Sequence, residues 1–248
     1  GFSADSMESY YADEEFTDWT HKLSKTKMLK AQHPDYELYM TGIHAARNIA
    51  CADCHMPYKV EGGIKFTDHH ITSPLKNIDR SCQVCHRQSE EQLRADVYAR
   101  QDRVMEIRRL VERSLAKAHI EAQKAWESGA TEKEMAEVQD LIRSAQWRWD
   151  WVGAANGVGF HSPVEALRVL GTSIERSEKA RGLLAVLLQR HGVVLPVDIA
   201  DIWSKTKAQE YIGLMLDDLK KDKDNLLKNV IPDWDRLAKE RQGTLIKY

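Results

Sequence analysis

Glycine and proline are scarce in this chain, at 13 and 6 of 248 residues. That is about 8% together, against about 12% in average usage, so the chain is predicted to be mostly helical. No apolar run is longer than Leu183 to Leu188, far short of the ~20 residues that cross a bilayer. Neither sign of charge prevails: 36 Lys plus Arg face 38 Asp plus Glu, a net of −2. This balance excludes a strongly basic nucleic-acid binder and an acidic disordered tail. Four cysteines are too few for a disulfide scaffold. The opening Gly1-Phe2-Ser3-Ala4 has no initiator Met, basic n-region or apolar h-region. It reads as a mature or truncated start and says nothing of compartment.

What is present divides at residue 90. Residues 1–90 are irregular and hold seven of the ten histidines, all four cysteines and three of the six prolines. Residues 91–248 read as long helices. Val104, Ile107, Val111, Leu115, Ala118, Ala122 and Ala125 recur at gaps of 3 and 4, a period of about 3.5, the seam of left-handed coiled packing. Gly129 marks a stop. Thr131 and Glu134 form a capping box before a second seam of Met135, Val138, Ile142, Ala145, Trp149 and Val152. Ser162-Pro163-Val164-Glu165 reads as another box with Pro at the first helical position, opening a helix to His191-Gly192. A fourth helical stretch is expected from about Lys205 to Val230, ending before Pro232. Seams of this kind pack within a chain or against a second copy of it.

The chemistry lies in the first part. Cys51-Ala52-Asp53-Cys54-His55 and Cys82-Gln83-Val84-Cys85-His86 are both C-x-x-C-H. This spacing sets two thiols on one turn for thioether bonds to a haem, with the next His directed at the iron. Two other readings compete. Paired C-x-x-C knuckles hold structural zinc, but the loop from Cys54 to Cys82 exceeds the usual length. Dithiols or disulfides are the second. The His after each pair favours haem attachment over both.

Each iron then takes a sixth ligand from the remaining histidines: His21, His33, His44, His69, His70, His119, His161 and His191. His161 stands before the Ser162 cap, where the helix dipole disfavours imidazolium and keeps the ring fit for ligation. His44 and the Asp68-His69-His70 cluster follow. His119 and His191 read as packing or surface residues, and His21 has no assigned place.

Six stretches resemble one family: Ser24 to Pro34, Gly42-Ile43-His44, Cys54-His55-Met56-Pro57, Thr67-Asp68-His69, Ala145 to Asp150 and Leu170-Gly171-Thr172. The family is the pentahaem cytochrome c nitrite reductases, which reduce nitrite to ammonia. The resemblance covers essentially the whole chain but only the C-terminal part of the family protein. The N-terminal part holds the first three haems, among them the catalytic one on a C-x-x-C-K motif. No such motif occurs here.

The resemblance implies that Cys51 and Cys54 hold haem 4 between His55 and His161. Cys82 and Cys85 then hold haem 5 between His86 and His44. His69 resembles the distal ligand of haem 2, which is attached outside this chain, with His70 a bystander. His33 resembles the active-site histidine that hydrogen-bonds nitrite and delivers protons. The Lys30 carbonyl and the Gln32 side chain resemble two ligands of a calcium ion beside that pocket, a hard cation suited to oxygen donors. Also implied are a homodimer through the long helices, a multihaem electron donor (often a membrane-anchored quinol-oxidising subunit) and, with covalent haem attachment, a periplasmic location.

The expected architecture is therefore mainly α, with a multihaem cytochrome c segment over 1–90 and a helical bundle over 91–248 that supplies a distal ligand. The alternative is a dihaem electron-transfer cytochrome without catalytic activity; the Lys30–His33 segment argues against it. A larger octahaem relative is a third reading, which the haem motifs upstream of these residues would decide.

Overall fold

The structure, a computed structural model, describes residues 3–245. It is mainly α, as expected. Two compact units are present, Gly1–Val197 and Asp198–Tyr248. The change of character at residue 90 thus falls inside the first unit, where short elements give way to long helices.

Three long helices form the frame: α6 (Glu90–Glu127), α7 (Glu132–Ala154) and α8 (Pro163–Arg190). Before them come α1 (Ala4–Asp13), β1 (Trp19–Thr20), β2 (Lys27–Met28), α2 (Asp35–Met40), α3 (Ile43–Ala46), α4 (Cys51–His55), β3 (Tyr58–Glu61), β4 (Ile64–Thr67) and α5 (Ile78–Ser81). α6 begins where the Ser89 hydroxyl accepts from the Gln92 amide at 3.3 Å. It ends at Ser128 with Gly129 at φ 95°, a left-handed residue that suits glycine. The capping box that opens α7 is present, with Thr131 N–H donating to Glu134 at 2.8 Å and Glu134 N–H to the Thr131 hydroxyl at 3.3 Å. The box expected at α8 is absent, because Ser162 makes no side-chain cap bond. Its partner Glu165 turns forward instead and accepts twice from Arg168 at 2.7 Å.

The α6 seam is buried against α7 and α8. Val104, Val111 and Leu115 meet Ala145, Trp151, Val152, Val169 and Leu170 in one stretch of core. Ala118, Ala122 and Ala125 meet Met135, Val138, Ile142, Ala180, Leu184 and Leu188 in the next. The alanines let the helices approach closely. The periodicity is thus satisfied within the chain and carries no argument for a second copy.

Between α1 and α2 the only regular structure is the two-residue strands β1 and β2, and several backbone groups of residues 4–34 are met by side chains of the long helices. Trp147 Nε1 donates to the Ala4 carbonyl and Trp126 Nε1 to the Ser24 carbonyl, both at 2.8 Å. Arg143 reaches the carbonyls of Lys27 and Phe16 at 2.8 and 2.7 Å. Buried backbone polar groups need partners, and here the partners come from far along the chain.

Under this segment His21 stacks on His119, with ring centres 3.7 Å apart and planes at 21°. His119 takes the packing position expected of it, buried with Nδ1 at 2.9 Å from the Ser24 hydroxyl. Burial pushes His21 down to about 4 and His119 down to about 3. Both rings are therefore neutral in the fold, while in the unfolded chain they titrate near 6.5. As pH falls below that value the unfolded state binds protons first, so stability is full above it and is lost progressively towards the folded values. At pH 5 each ring is expected to cost about 2 kcal/mol. Melting of the wild-type chain at pH 7 and pH 5 reads this out: His119→Gln should flatten the pH dependence, and an equal Tm drop in both would remove the stack as its source. His191, at the end of α8, has Nε2 3.4 Å from Glu134, a surface tie between helix ends.

β3 and β4 form an antiparallel hairpin with Glu61 opposite Ile64 across Gly62-Gly63. In the second unit, the single helix expected over 205–230 is broken. α9 (Lys205–Tyr211) stops at a turn through Gly213, and α10 (Leu216–Asn225) follows. The chain does not end its helix before Pro232: a π turn over Leu226–Val230 leads straight into α11 (Ile231–Leu245). Proline removes one helical amide and crowds the preceding turn, and a wider turn just before it accommodates both.

Candidate haem-binding site

The first C-x-x-C-H is the one-turn helix α4, and the second continues the turn that ends α5. In the second, Cys85 N–H and His86 N–H both donate to the Cys82 carbonyl, at 3.1 and 2.9 Å. No two of the four cysteines are joined in a disulfide. Burial, and then the neighbouring Cys82 and Asp53, push Cys54 up to about 11. Burial, and then Glu90, raise Cys82 as well. Redox-active dithiols need the opposite shift. Among the described residues no group of three or more His, Cys, Asp or Glu converges as a metal cluster, so a four-donor zinc centre is not assembled.

Imidazoles do converge, in twos. His55 of α4 faces His161, ring centres 6.4 Å apart and planes at 76°. His86 faces His44 of α3 at 6.2 Å, also at 76°. Two imidazoles that bind one metal from opposite sides, through bonds of about 2 Å, stand with ring centres about 6 Å apart. Each pair joins the His of one C-x-x-C-H turn to a histidine from elsewhere in the chain. A haem brings four nitrogens of its own, so two protein ligands complete its iron. The residues present fit that group.

The surroundings of each ring support the fit. His55 Nδ1 lies 2.9 Å from the Thr72 carbonyl. A carbonyl only accepts, so Nδ1 carries the proton and Nε2 keeps its lone pair for a metal. His161 sits in a tight cradle: a Cβ on Gly157 would fall 2.1 Å from its Nδ1, and one on Gly42 would fall 2.0 Å from its carbonyl oxygen. Tyr39 packs edge-on at 5.5 Å, and its hydroxyl donates to the Ile49 carbonyl. Burial lowers His161, against the raising effect of Asp35. Burial and then His86 lower His44. Both rings are thus held neutral, as ligation requires. For His161 the main cause is burial, with no contribution from a Ser162 side-chain cap. Phe160 lies between the two histidines from outside the motifs, 5.7 Å from His44 and 6.5 Å from His161.

His33 is exposed at the surface, in a turn at φ 47°. The residues before it are clamped: Lys30 N–H donates to Asp18 at 2.7 Å, Ala31 N–H to Asp150 at 2.8 Å, and Lys30 Nζ to Asp150 at 2.9 Å. Gln32 is exposed. His69 lies 3.1 Å from the Thr67 hydroxyl through Nε2. His70 is 2.9 Å from the buried Asp68 through Nδ1. Neither of these two faces another imidazole among the described ring contacts. Thr72, Gly157 and Phe160 shape the site without standing out in the sequence, while Asp150 and Gly42 draw notice only through the resemblance, in the runs Ala145–Asp150 and Gly42-Ile43-His44.

Two turns that carry paired thiols, each completed by a facing imidazole, define a c-type cytochrome with more than one haem. The chain belongs to the cytochrome c552 family, whose model matches residues 1–242. It is 55% identical over 248 residues to cytochrome c-552 of Bacteroides fragilis, covering 100% of this chain and 50% of that protein. To cytochrome c-552 of Porphyromonas gingivalis it is 51% identical over 246 residues, 99% of this chain and 49% of that one. The chain therefore spans about half the length of the curated relatives it matches. Among solved structures it resembles the cytochrome c nitrite reductase of Desulfovibrio desulfuricans, described for two calcium sites in its catalytic subunit. The TM-score is 0.70 at 37% identity, over 75% of this chain and 42% of that one. The chain is thus a nitrite-reductase-like multihaem cytochrome, and its family implies haem c. Among the described residues no helix is long and apolar enough to cross a membrane.

Proposed function

We propose that these residues form the electron-transfer half of a periplasmic, ammonia-forming cytochrome c nitrite reductase. The observation that carries this reading is the two pairs of facing imidazoles, with ring centres 6.4 and 6.2 Å apart, each pair begun by a C-x-x-C-H turn. Cys51 and Cys54 hold one haem between His55 and His161, and Cys82 and Cys85 hold the other between His86 and His44. When bound, such haems take up and pass on single electrons.

The chain's own residues do the rest. With haem bound, His55 with His161 and His86 with His44 would hold the two irons and leave no open position for substrate. Nitrite becomes ammonium and two waters by taking up six electrons and eight protons, at a lysine-ligated haem that the resemblance assigns to upstream sequence. His33 donates hydrogen bonds and protons to that substrate, from a segment that Asp18 and Asp150 hold in place. The Lys30 carbonyl and Gln32 contribute to a calcium site, and His69 serves a haem attached upstream. A homodimer and a multihaem donor, membrane-anchored in many relatives, complete the proposal by resemblance.

Mass spectrometry of the haem-loaded, full-length protein tests the haem assignment. Peptides over 51–55 and 82–86 should each carry one covalent haem, and unmodified cysteines there would sink the reading. His33→Asn should lower nitrite reduction by about 10²-fold with the low-spin haem spectrum unchanged. Undiminished turnover in that variant would leave these residues to the pure electron-carrier reading.

A further inference from the structure

We propose that Asp35 is a positioning residue for His161, and that its carboxylate lowers the potential of the haem carried by Cys51 and Cys54; this rests on the haem reading above. His161 Nδ1 is buried and has no hydrogen-bond partner among the described residues. The acidic group facing it is Asp35, whose Oδ1 stands 3.8 Å away. That carboxylate is aimed from behind. Gly157 N–H donates to Oδ1 at 3.0 Å, and Asn156 Nδ2 donates to Oδ2 at 3.0 Å. The same Gly157 admits the His161 ring, so one turn of chain sets both the imidazole and the anion beside it.

The two facing rings therefore differ in character. His55 gives its Nδ1 proton to a neutral carbonyl, that of Thr72. When His161 binds metal through Nε2, its Nδ1 proton points to a carboxylate. An anion at that position makes the imidazole a stronger donor and stabilises the more highly charged ferric state over the ferrous. Asp35 also has a second attachment. Its N–H donates to the His33 carbonyl at 2.8 Å, which ties the turn of the substrate-side histidine to the residue that faces the distal ligand.

The test uses the haem-loaded, full-length protein, with Asp35→Asn, Asp35→Glu and Asp35→Ala. Redox titration followed in the visible gives each haem's potential, and low-spin EPR reports the ligand pair. Asn keeps an oxygen for the Gly157 amide but loses the charge. It should shift one haem upward in potential and leave the others in place, with Glu returning it towards wild type. Unchanged potentials in the Asn protein overturn the proposal, even if Ala loses the ligand, because that pattern marks a purely structural role. Failure of the haem reading looks different: the wild-type protein itself would then lack a low-spin haem on Cys51 and Cys54.

Discussion

Gly157→Ala is expected to convert one six-coordinate, low-spin haem of the loaded protein to a high-spin one with an open iron position. The added Cβ would fall 2.1 Å from Nδ1, 2.3 Å from Cε1 and 2.5 Å from Cγ of His161. Those atoms belong to the rigid ring itself, so no flexible tip can give way. Little room is left on the other side, where a Cβ on Gly42 would fall 2.0 Å from the His161 carbonyl oxygen. The two residues also share a turn, since His161 N–H donates to the Gly157 carbonyl at 3.1 Å. The imidazole therefore leaves its place opposite His55. Absorption and EPR spectra of the ferric protein read the high-spin fraction directly. Gly171→Ala in α8, where an added methyl meets open space, is the control and should leave the spectrum alone. A fully low-spin Gly157→Ala protein would show that His161 is not the ligand.

Arg148→Ala should cost about 3 kcal/mol of stability. The Arg148 side chain is 1% exposed and holds two carboxylates of α1, Asp5 at 2.5 Å and Glu8 at 2.6 Å. It also donates to the Ser144 hydroxyl at 2.6 Å. Burial raises Asp5, but Arg148 and Arg168 together outweigh it and hold the carboxyl below its ordinary value. Removing Arg148 leaves both acids with weaker partners, Arg168 and Arg176, and opens a hole where a buried side chain stood. For a domain of this size the melting temperature should drop by about 10 °C. Arg148→Met, which fills the hole without the charge, should recover part of the loss. A change below about 1 kcal/mol in the alanine variant would mean that the α1 contact is maintained by Trp147 and Ala4 instead.

What was legible in the sequence follows the range of the interactions. The α6 seam, the Thr131–Glu134 box and the C-x-x-C-H turns are local patterns, and each stands where its spacing puts it. The β3–β4 hairpin was legible as well, since Gly62-Gly63 between alternating residues is a strong two-residue turn signal, yet the segment read as irregular. Pro232 misled because a wide turn upstream absorbs it. Other features have no local signature. Asp35 looks like any surface carboxylate until His161 is folded against it. Asp150 looks like a solvated helix residue until Ala31 and Lys30, 119 and 120 positions away, come to meet it. The need for glycine at 157 exists only once a ring occupies the space. The pairing of His55 with His161 came from resemblance, because composition and periodicity say nothing about which distant histidines meet.

The way α7 holds residues 1–34 bears on the order in which the molecule is made. Arg143, Trp147, Arg148 and Asp150 grip backbone and side chains that were synthesised more than a hundred residues earlier. Closing loops of that length is entropically costly and slow relative to helix formation. The segment that carries Lys30 to His33 therefore acquires its shape only after α7 exists and has docked. His161, which faces His55, lies beyond α7 as well, so the surroundings of the first cysteine turn and the shape of the Lys30–His33 segment both wait on the same helix.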